Sequence, residues 1–426
     1  MLVMNDGNQR GYWVRTLSRF VGTQGLVQLL GFLIGVAVVR TLDKESYAQY
    51  AVITSMVAAM TLISESGVRS GLLSRGAPLL SRSDALSSLF ASALRFRRVV
   101  AVAVIVVGDS VLLVLVLRTG AEPIFAAAYL LLVAVTFFPI LTKGVLQPYF
   151  QLTKQFQALQ NVALASSLLR LLGVAVLVGL GSISITGLLT IGLVCAFFEV
   201  WQLRRRSKPT LSFNAARDVE ATKLFGQNLR KTLPMNLVLV LQGQVLYLFL
   251  GFSGQSDVLA EIAALSRFAI VFVILNSIVS DIGSGVVARA HGNRRRVSKT
   301  MFSFIGGFAV AAIFAVALAW VFAKPLLWIL GPNYQGIELA LVIVAGGTAA
   351  INLADTMRVL NQARGWLTGS WTYIPLTICW AATGLLLFDL RNINEAAVFM
   401  GLQAVPGLFA QTVCFISGYK SHRDHD

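Results

Sequence analysis

The sequence predicts an all-α integral membrane protein with about twelve transmembrane helices. Of its 426 residues, 56% are hydrophobic and only 13% are charged, and the mean hydropathy is +0.75. A typical soluble domain carries about 25% charged residues. The apolar residues occur in blocks of about twenty, the length at which a helix crosses roughly 30 Å of hydrocarbon. Because lipid offers the backbone no hydrogen-bond partner, each block is expected to be helical.

Twelve blocks in the chain have the length and composition of a membrane-spanning helix. The predicted spans are 20–39, 47–65, 99–117, 123–141, 157–180, 184–203, 232–252, 258–280, 300–322, 338–355, 371–388 and 395–417. The spans that contain the most polar residues are 47–65, 258–280 and 338–355.

The distribution of Lys and Arg predicts the orientation of these spans. Of the 35 basic residues, 28 lie in the two termini and in the loops after the second, fourth, sixth, eighth and tenth spans. Only five lie in the opposite loops, and two lie inside spans. Cytoplasmic loops carry the excess of Lys and Arg, so both termini are expected in the cytoplasm. The net charge of +16 is therefore a topology signal that also suits anionic lipid headgroups, rather than a nucleic-acid site.

The longest basic segment, 204–231, leaves six predicted spans on each side. We expect an N-terminal six-helix lobe (1–203), a basic cytoplasmic linker (204–231) and a C-terminal six-helix lobe (232–426). A shift of 212 residues places the first two spans on the seventh and eighth. Both lobes begin in the cytoplasm, which predicts parallel repeats related by a pseudo-two-fold axis along the membrane normal. The linker itself is either an amphipathic surface helix or a solvated connection.

The sequence contains no motif for a catalytic, cofactor or metal site. It has no G-x-x-x-x-G-K-[ST] phosphate loop, no H-E-x-x-H and no C-x-x-C. The three cysteines are widely spaced in apolar blocks and are expected to be buried free thiols. The longest loop, of roughly 30 residues, has no room for a soluble catalytic domain. A transporter is favoured, and an enzyme with its site inside the helix bundle is the alternative.

Arg170 and Arg267 lie inside predicted spans, and neither has an acidic residue three or four positions away. Each needs a partner on another helix, a wet cavity or an anionic ligand. A guanidinium is the side chain best suited to bind phosphate. Both arginines are therefore candidates for a substrate cavity. An interhelical ion pair, or a side chain that snorkels to the interface, is the alternative.

Two further pairs have the spacing of ion pairs within one helix: Glu65 with Arg69, and Asp355 with Arg358. Local pairing is the favoured interpretation, with Arg69 and Arg358 as additional cavity candidates. The carboxylates that are candidates for a coupling-ion site are Glu65, Asp281, Asp355 and Glu261. The deepest charges in this interpretation are basic, which favours an anionic substrate.

Glycines and prolines inside the spans suggest close packing and kinks. The pairs Gly306-Gly307 and Gly346-Gly347 are expected to allow close approach of neighbouring helices. Pro375 and Pro406 are expected to kink the last two spans.

Three stretches, QGLVQLLGFLIGVAVVRTLDKESYAQY (24–50), SESGVRSGLLSR (64–75) and KPLLWILGPNYQGIELALVIVAGG (324–347), carry a family resemblance. They resemble the polysaccharide-transporter branch, the Wzx-type oligosaccharide flippases, of the multidrug/oligosaccharidyl-lipid/polysaccharide (MOP) exporter superfamily. The matching positions are Arg40, Leu42, Tyr47, Tyr50, Leu330, Gly331 and Tyr334. Length and helix number agree over the whole chain. The stretch from Gln242 to Tyr247 departs from the pattern, since it lacks the acid that the family commonly carries there.

The resemblance implies two six-helix lobes around a cavity that opens alternately to each side of a bacterial inner membrane. The substrate would be an undecaprenyl-diphosphate-linked sugar repeat, carried from the cytoplasmic to the outer leaflet. Arg170 and Arg267, with Arg69 and Arg358, would attract its diphosphate. Membrane lipids, polysaccharide polymerases and glycosyltransferases are the implied partners, and nucleic acid is not. A cation-coupled multidrug exporter, a membrane-embedded synthesis enzyme and a non-transporting scaffold are the alternatives.

Overall fold

A computed structural model describes residues 6–153, 155–207, 211–213, 215–216, 218–279, 283–289 and 294–421, and these form an all-helical protein. The first seven α-helices are α1 (Asp6–Thr41), α2 (Lys44–Ser64), α3 (Val68–Gly76), α4 (Ser83–Arg118), α5 (Pro123–Leu152), α6 (Phe156–Gly179) and α7 (Ile185–Ser207). The remaining ones are α8 (Val219–Phe252), α9 (Ser256–Leu265), α10 (Ile270–Ile278), α11 (Ser284–Arg289), α12 (Arg294–Val321), α13 (Ala323–Leu330), α14 (Glu338–Ala363), α15 (Tyr373–Leu387), α16 (Ile393–Leu402) and α17 (Ala404–Ser421).

Within the described part of the chain, 12 helical segments are long and apolar enough to cross a membrane, and each overlaps one predicted span. The predicted all-α fold with twelve spans is therefore confirmed. Large apolar side chains such as Val99, Val310 and Leu386 are left uncovered by the protein. Apolar surface of this extent suits a hydrocarbon solvent.

Four helices extend more than ten residues beyond the predicted spans. α1 begins at Asp6 rather than near 20, α4 begins at Ser83 rather than near 99, α5 continues to Leu152 rather than ending near 141, and α8 begins at Val219 rather than near 232. α8 has 34 residues, about 50 Å at the usual rise of about 1.5 Å per residue, which exceeds the ~30 Å of hydrocarbon. The added segments are polar helices, which a hydropathy criterion does not detect.

Two predicted spans are interrupted. The span near 258–280 is divided by a 3₁₀ turn, Ser266–Ala269, between α9 and α10. The last span breaks at Gln403, between α16 and α17. Pro406 lacks the N–H that would bond the carbonyl of Leu402, so the ladder cannot continue regularly through this point.

The chain folds as two compact units. The first unit comprises Met1–Leu42 and Val52–Val240, and the second comprises Asp43–Ala51 and Leu241–Asp426. In the first unit α5 packs against α4 and α7, while α6 packs against α1 and α7. In the second unit α14 packs against α12, α16 and α17.

The basic segment 204–231 is largely helical where it is described. Arg204, Arg205 and Arg206 form the last turn of α7, and residues 219–231 form the start of α8. Ala221 and Phe225 of this start are fully buried in the core of the first unit. The amphipathic helix proposed for the segment thus buries its apolar face against the protein. The three-part division of the chain stays a prediction.

Candidate functional site

The 3₁₀ turn between α9 and α10 places Arg267 in the middle of a membrane-spanning segment of the second unit. Its side chain is half-buried, and its Nε donates a hydrogen bond to the Tyr47 hydroxyl at 3.2 Å. No carboxylate of the described chain lies within ion-pair distance of this guanidinium. A short 3₁₀ stretch inside a helix often marks a functional position. Arg267 is thus a cation inside a membrane span, and its described hydrogen-bond partner is the neutral hydroxyl of Tyr47.

Tyrosine rings surround this guanidinium. Tyr47 is completely buried at the start of α2, and its ring packs edge-on against Tyr334 with centroids 6.4 Å apart. Tyr247 of α8 lies beside Ser266 and Arg267. The hydroxyl of Tyr334 is buried without a hydrogen-bond partner among the described residues. A buried orphan hydroxyl is costly unless water or a ligand satisfies it, so this cluster is suited to a polar ligand.

An ion pair lies close to Tyr334. Lys44 Nζ donates to Glu261 Oε1 at 2.7 Å and sits 5.9 Å from the centre of the Tyr334 ring. The Glu261 side chain is only 13% exposed. Glu261, a predicted coupling-ion candidate, is therefore neutralised by a lysine that lies in a predicted loop.

Burial and charge act on the two groups of this cluster that lie outside the spans. Burial raises the pKa of Tyr334, and the neighbouring Tyr47 and Glu261 raise it further, so its phenol stays protonated. Burial also acts to raise the pKa of Asp43, but hydrogen bonds from Ser46 outweigh it and the net direction is down. Asp43 accepts from the Ser46 N–H at 3.0 Å. It thereby caps α2 and fixes the turn that positions Lys44 and Tyr47.

A small cavity of about 120 Å³ adjoins the cluster. It is lined by Gln242, Gly243, Leu246, Tyr247, Ser266, Trp380, Phe399, Met400 and Gln403. Gln242 donates to the Gln403 carbonyl at 2.9 Å and accepts from the Tyr373 hydroxyl. Ligand pockets usually measure about 300–1,000 Å³. This cavity is therefore a polar extension of the cluster and not a complete substrate site.

The first unit holds a separate network of ionised groups. Arg97 of α4 is only 1% exposed and donates to the Leu141 carbonyl at 3.1 Å and to Ser64 at 3.2 Å. Glu65 lies 3.8 Å from the same guanidinium. The predicted Glu65–Arg69 pair is wrong. α2 ends at Ser64, and Gly67, with a φ of 73°, turns the chain so that the helical spacing is lost.

A second ion pair completes this network. Lys143 Nζ contacts Glu199 Oε2 at 2.7 Å. A cavity of about 210 Å³ is lined by Thr61, Glu65, Pro139, Ile140, Lys143, Gly144, Gln147, Ala196 and Glu199. The lining contains two acids, Glu65 and Glu199, and one base, Lys143, so the cavity offers no surplus positive charge. It is polar but poorly suited to an anion.

The other predicted site residues are dispersed. Arg358 pairs with Asp355 at 3.0 Å on an exposed surface, which confirms the local pairing expected for them. Arg69 is exposed on α3, and Arg170 is half-buried on α6, close enough to Cys195 to interact electrostatically. Asp281 lies outside the described residues. Among the candidates that the structure describes, Arg267 and Glu261 therefore share the tyrosine cluster, Asp355 and Arg358 pair with each other, and the rest lie apart.

Sequence reasoning missed one acid deep in the membrane. Asp109 lies near the middle of the apolar part of α4, and its Oδ1 is buried without a hydrogen-bond partner among the described residues. Its position inside the predicted span 99–117 was a sufficient signal. The expectation that the deepest charges are basic is therefore wrong for the first unit.

No protein-family model and no curated protein sequence matches the chain. Solved structures do. The lipid II flippase MurJ in an inward closed conformation aligns with a TM-score of 0.64 at 12% identity, covering 94% of this chain and 89% of that one. An inward-facing multidrug resistance MATE transporter of the MOP superfamily aligns equally well, with a TM-score of 0.64, 12% identity and coverage of 93% and 96%.

The eukaryotic MATE transporter AtDTX14 aligns with a TM-score of 0.59 at 15% identity, covering 96% of each chain. The structural alignments establish the fold, but at identities this low they leave the substrate open. These alignments span nearly the whole chain, so they concern both of its compact units. The protein therefore has the two-lobed membrane fold of MurJ and the MATE transporters of the MOP superfamily.

Proposed function

We propose that this protein is a flippase for lipid-linked oligosaccharide. It would move polyprenyl-diphosphate sugars from the cytoplasmic to the outer leaflet of a bacterial cytoplasmic membrane by alternating access, for surface polysaccharide synthesis. The observation that carries the proposal is Arg267, a half-buried cation in a membrane span whose described hydrogen bond goes to a neutral tyrosine. An intramembrane cation without a carboxylate partner is suited to bind an anionic ligand.

The geometry of the guanidinium suits a diphosphate. Tyr47 accepts from Nε, and no acceptor in the described chain binds the two terminal nitrogens. Those nitrogens form the fork that binds phosphate oxygens in a bidentate manner. Tyr334 adds a protonated hydroxyl that lacks a described partner. Together these groups offer donors to a phosphate or to the first sugar.

The fold supports a lipid-linked substrate, since one of the similar structures is a lipid II flippase. The proposal includes the topology. Both termini face the cytoplasm, and so does the segment 204–231, which connects an N-terminal lobe (1–203) to a C-terminal lobe (232–426). Membrane lipids, a polysaccharide polymerase and glycosyltransferases are the proposed partners. The role proposed for the protein is transport without chemical conversion of the sugar.

A cation-coupled multidrug exporter is a second candidate, and one observation favours it. Asp109 is a carboxylate inside a membrane span with a buried, unpartnered oxygen among the described residues. A site of that kind suits a proton or a cationic drug. One of the similar structures is a multidrug resistance MATE transporter, and another is a MATE protein. The two candidates predict opposite charge preferences, which an experiment can separate.

The full-length protein, purified in detergent, is titrated with a short-chain polyprenyl diphosphate and with the corresponding uncharged alcohol. The diphosphate is expected to bind more tightly than the alcohol. Arg267→Glu should weaken diphosphate binding by at least about tenfold, since hydrogen bonds to charged groups contribute about 1.5–3 kcal/mol. Arg391→Glu, the same charge reversal at an exposed loop position, is the matched control and should leave affinity within about twofold.

Equal affinity for the diphosphate and the alcohol, or equal effects of the two reversals, would contradict the proposal. Saturable binding of a cationic dye that is lost in Asp109→Asn would support the exporter instead.

A further inference from the structure

A cavity of about 940 Å³ lies in the first unit and is separate from the proposed transport site. It is formed by side chains of α4, α5 and α7. Its lining comprises Arg98, Phe138, Pro139, Thr142, Phe197, Val200, Trp201, Arg204 and Arg205. We call it the arginine cavity.

Three guanidinium groups converge on this cavity. Arg98 and Arg204 are close enough for their positive charges to repel each other, and Arg205 lies on the same turn of α7. None of the described lining residues is Asp or Glu. The Nε of Arg204 is buried and has no acceptor within the described chain. Clustered cations that repel one another are stabilised by a bound anion.

Aromatic side chains form the rest of the lining. Phe138, Phe197 and Trp201 are 44%, 52% and 55% exposed, although each is large and apolar. Arg205 stacks over the Trp201 ring at 5.8 Å. A tryptophan beside a guanidinium is typical of the boundary between headgroups and hydrocarbon, where one end of the side chain is apolar and the other polar.

Uncovered apolar side chains continue from the cavity along all three helices. They recur every three or four residues, which places them on one face of each helix. The stripes comprise Val102 and Val106 on α4, Leu131 and Val135 on α5, and Val194 on α7. All three lead from the arginines toward the middle of their spans. An acyl chain could lie along such a face while its headgroup occupied the cavity.

We propose that the arginine cavity binds the phosphate headgroup of an anionic phospholipid, with the acyl chains on the adjoining apolar stripes. The predicted topology places Arg98 and the end of α7 at the cytoplasmic side, where anionic lipids attract clustered Lys and Arg. Three cations without a described lining carboxylate favour an anionic over a zwitterionic headgroup. The apolar stripes favour a lipid over a soluble phosphate.

The test uses full-length protein in mixed micelles that contain equal amounts of phosphatidylglycerol and phosphatidylcholine, with retained lipids identified by native mass spectrometry. The wild type is expected to retain phosphatidylglycerol. Arg204→Gln/Arg205→Gln should weaken retention by at least about tenfold and Arg98→Gln by about threefold or more, given the strength of charge-assisted hydrogen bonds. Arg206→Gln is the control, because Arg206 neighbours Arg205 but donates to the Ala158 carbonyl and does not line the cavity.

Arg98 is exposed, so its variant reports on binding even if the double variant folds poorly. Equal retention in the Arg98 variant and the control would overturn the proposal, as would equal retention of the two phospholipids. Displacement by millimolar glycerol phosphate would assign the cavity to a soluble phosphate. Tighter binding of a polyprenyl phosphate would assign it to the transport substrate. Displacement by glycerol phosphate and tighter binding of a polyprenyl phosphate would each overturn the phospholipid assignment.

Discussion

Whether a guanidinium inside the membrane is available to a ligand depends on what already surrounds it. Arg97 is nearly fully buried and has a carbonyl, a hydroxyl and a carboxylate as partners. Arg267 has a tyrosine hydroxyl. The cost of leaving a buried charge without compensation is several kcal/mol. Arg97 is therefore a structural residue, whereas Arg267 retains the capacity to bind an anion.

The Tyr47–Arg267 contact predicts a coupled pair. Tyr47→Phe removes an acceptor for a charged donor, a contact worth about 1.5–3 kcal/mol. In the otherwise wild-type protein, we expect Tyr47→Phe to lower the free energy of unfolding by that amount. In an Arg267→Gln background, the same tyrosine substitution should cost less than about 0.5 kcal/mol. Equilibrium unfolding in bicelles measures the cycle, and a coupling energy near zero would show that the contact contributes nothing.

The two ion pairs formed by Glu65 and Asp355 are expected to differ in strength. Glu65→Gln leaves the buried Arg97 without its counter-charge and should destabilise the protein by about 2–4 kcal/mol. Asp355→Asn breaks a pair whose side chains are both more than 40% exposed, and should cost less than about 1 kcal/mol. Thermal unfolding of the two variants compares them directly. Similar shifts would mean that the burial of Arg97 has little energetic effect.

At the residue scale, the sequence indicates Arg267, Glu261 and Glu65 as candidates but does not indicate their partners. The partners Lys44 and Arg97 fall in predicted loops, because hydropathy places a helix end where polar residues begin. Lys143 falls in a predicted loop for the same reason, and its partner Glu199 lies inside a predicted span. The partners come from distant positions in the chain, as in Arg267 with Tyr47. Side-chain packing between helices decides such contacts, and a single sequence does not encode them visibly.

Among the helices, interruptions matter as much as lengths. The 3₁₀ turn Ser266–Ala269 replaces a regular turn where Arg267 needs to reach Tyr47. The break at Gln403 places its carbonyl against the Gln242 amide. Pro406 signals the second break in the sequence, whereas no Gly or Pro signals the first. Only one of the two interruptions could be anticipated.

Gly346 and Gly347 are neighbours in α14 but have different surroundings. A Cβ at Gly347 would meet the backbone of Gly401 in α16, whereas one at Gly346 would meet nothing within 4 Å. Gly347→Ala should destabilise the protein by about 1–3 kcal/mol through overpacking. Gly346→Ala should stabilise it by up to about 1 kcal/mol, because alanine favours the helix. Thermal unfolding measures both, and a loss of equal size in the two variants would contradict the packing described.

The same comparison corrects an expectation from sequence. Gly306 and Gly307 of α12 face open space, as Gly346 does, so close packing holds at Gly347 alone among these four.

The existence of the helices was predictable from the sequence, because a helix needs about twenty apolar residues to cross the membrane. Their extents were not, since the polar starts of α4 and α8 are stabilised by packing in the first unit. Phe225 shows this, as it is buried in that core.

On the scale of the whole molecule, the orientation in the membrane rests on the alternation of Lys and Arg. Lys223 on α8 and Gln335 before α14 are both exposed and are predicted on opposite sides. Cys379 is exposed, contrary to the expectation of buried thiols, whereas Cys195 and Cys414 are buried. Labelling therefore needs a Cys379→Ser background.

In that background, a membrane-impermeant maleimide should label Gln335→Cys in intact cells. Lys223→Cys should react only after permeabilisation, because the positive-inside rule assigns its segment to the cytoplasm. The Cys379→Ser protein without an introduced cysteine is the control, and it should stay unlabelled because Cys195 and Cys414 are buried. Reaction of both introduced cysteines from the same side would invalidate the predicted topology and the two like-oriented lobes.

Transport itself tests the flippase proposal most directly. Full-length protein is reconstituted in liposomes with a fluorescent polyprenyl-diphosphate disaccharide, and its movement between leaflets is followed with a membrane-impermeant quencher. Wild type and Arg391→Gln are expected to move the lipid at similar rates, and Arg267→Gln at least about tenfold more slowly, since about 1.4 kcal/mol corresponds to tenfold. Failure of the wild type to move this lipid, together with uptake of a cationic dye that depends on Asp109, would contradict the proposal.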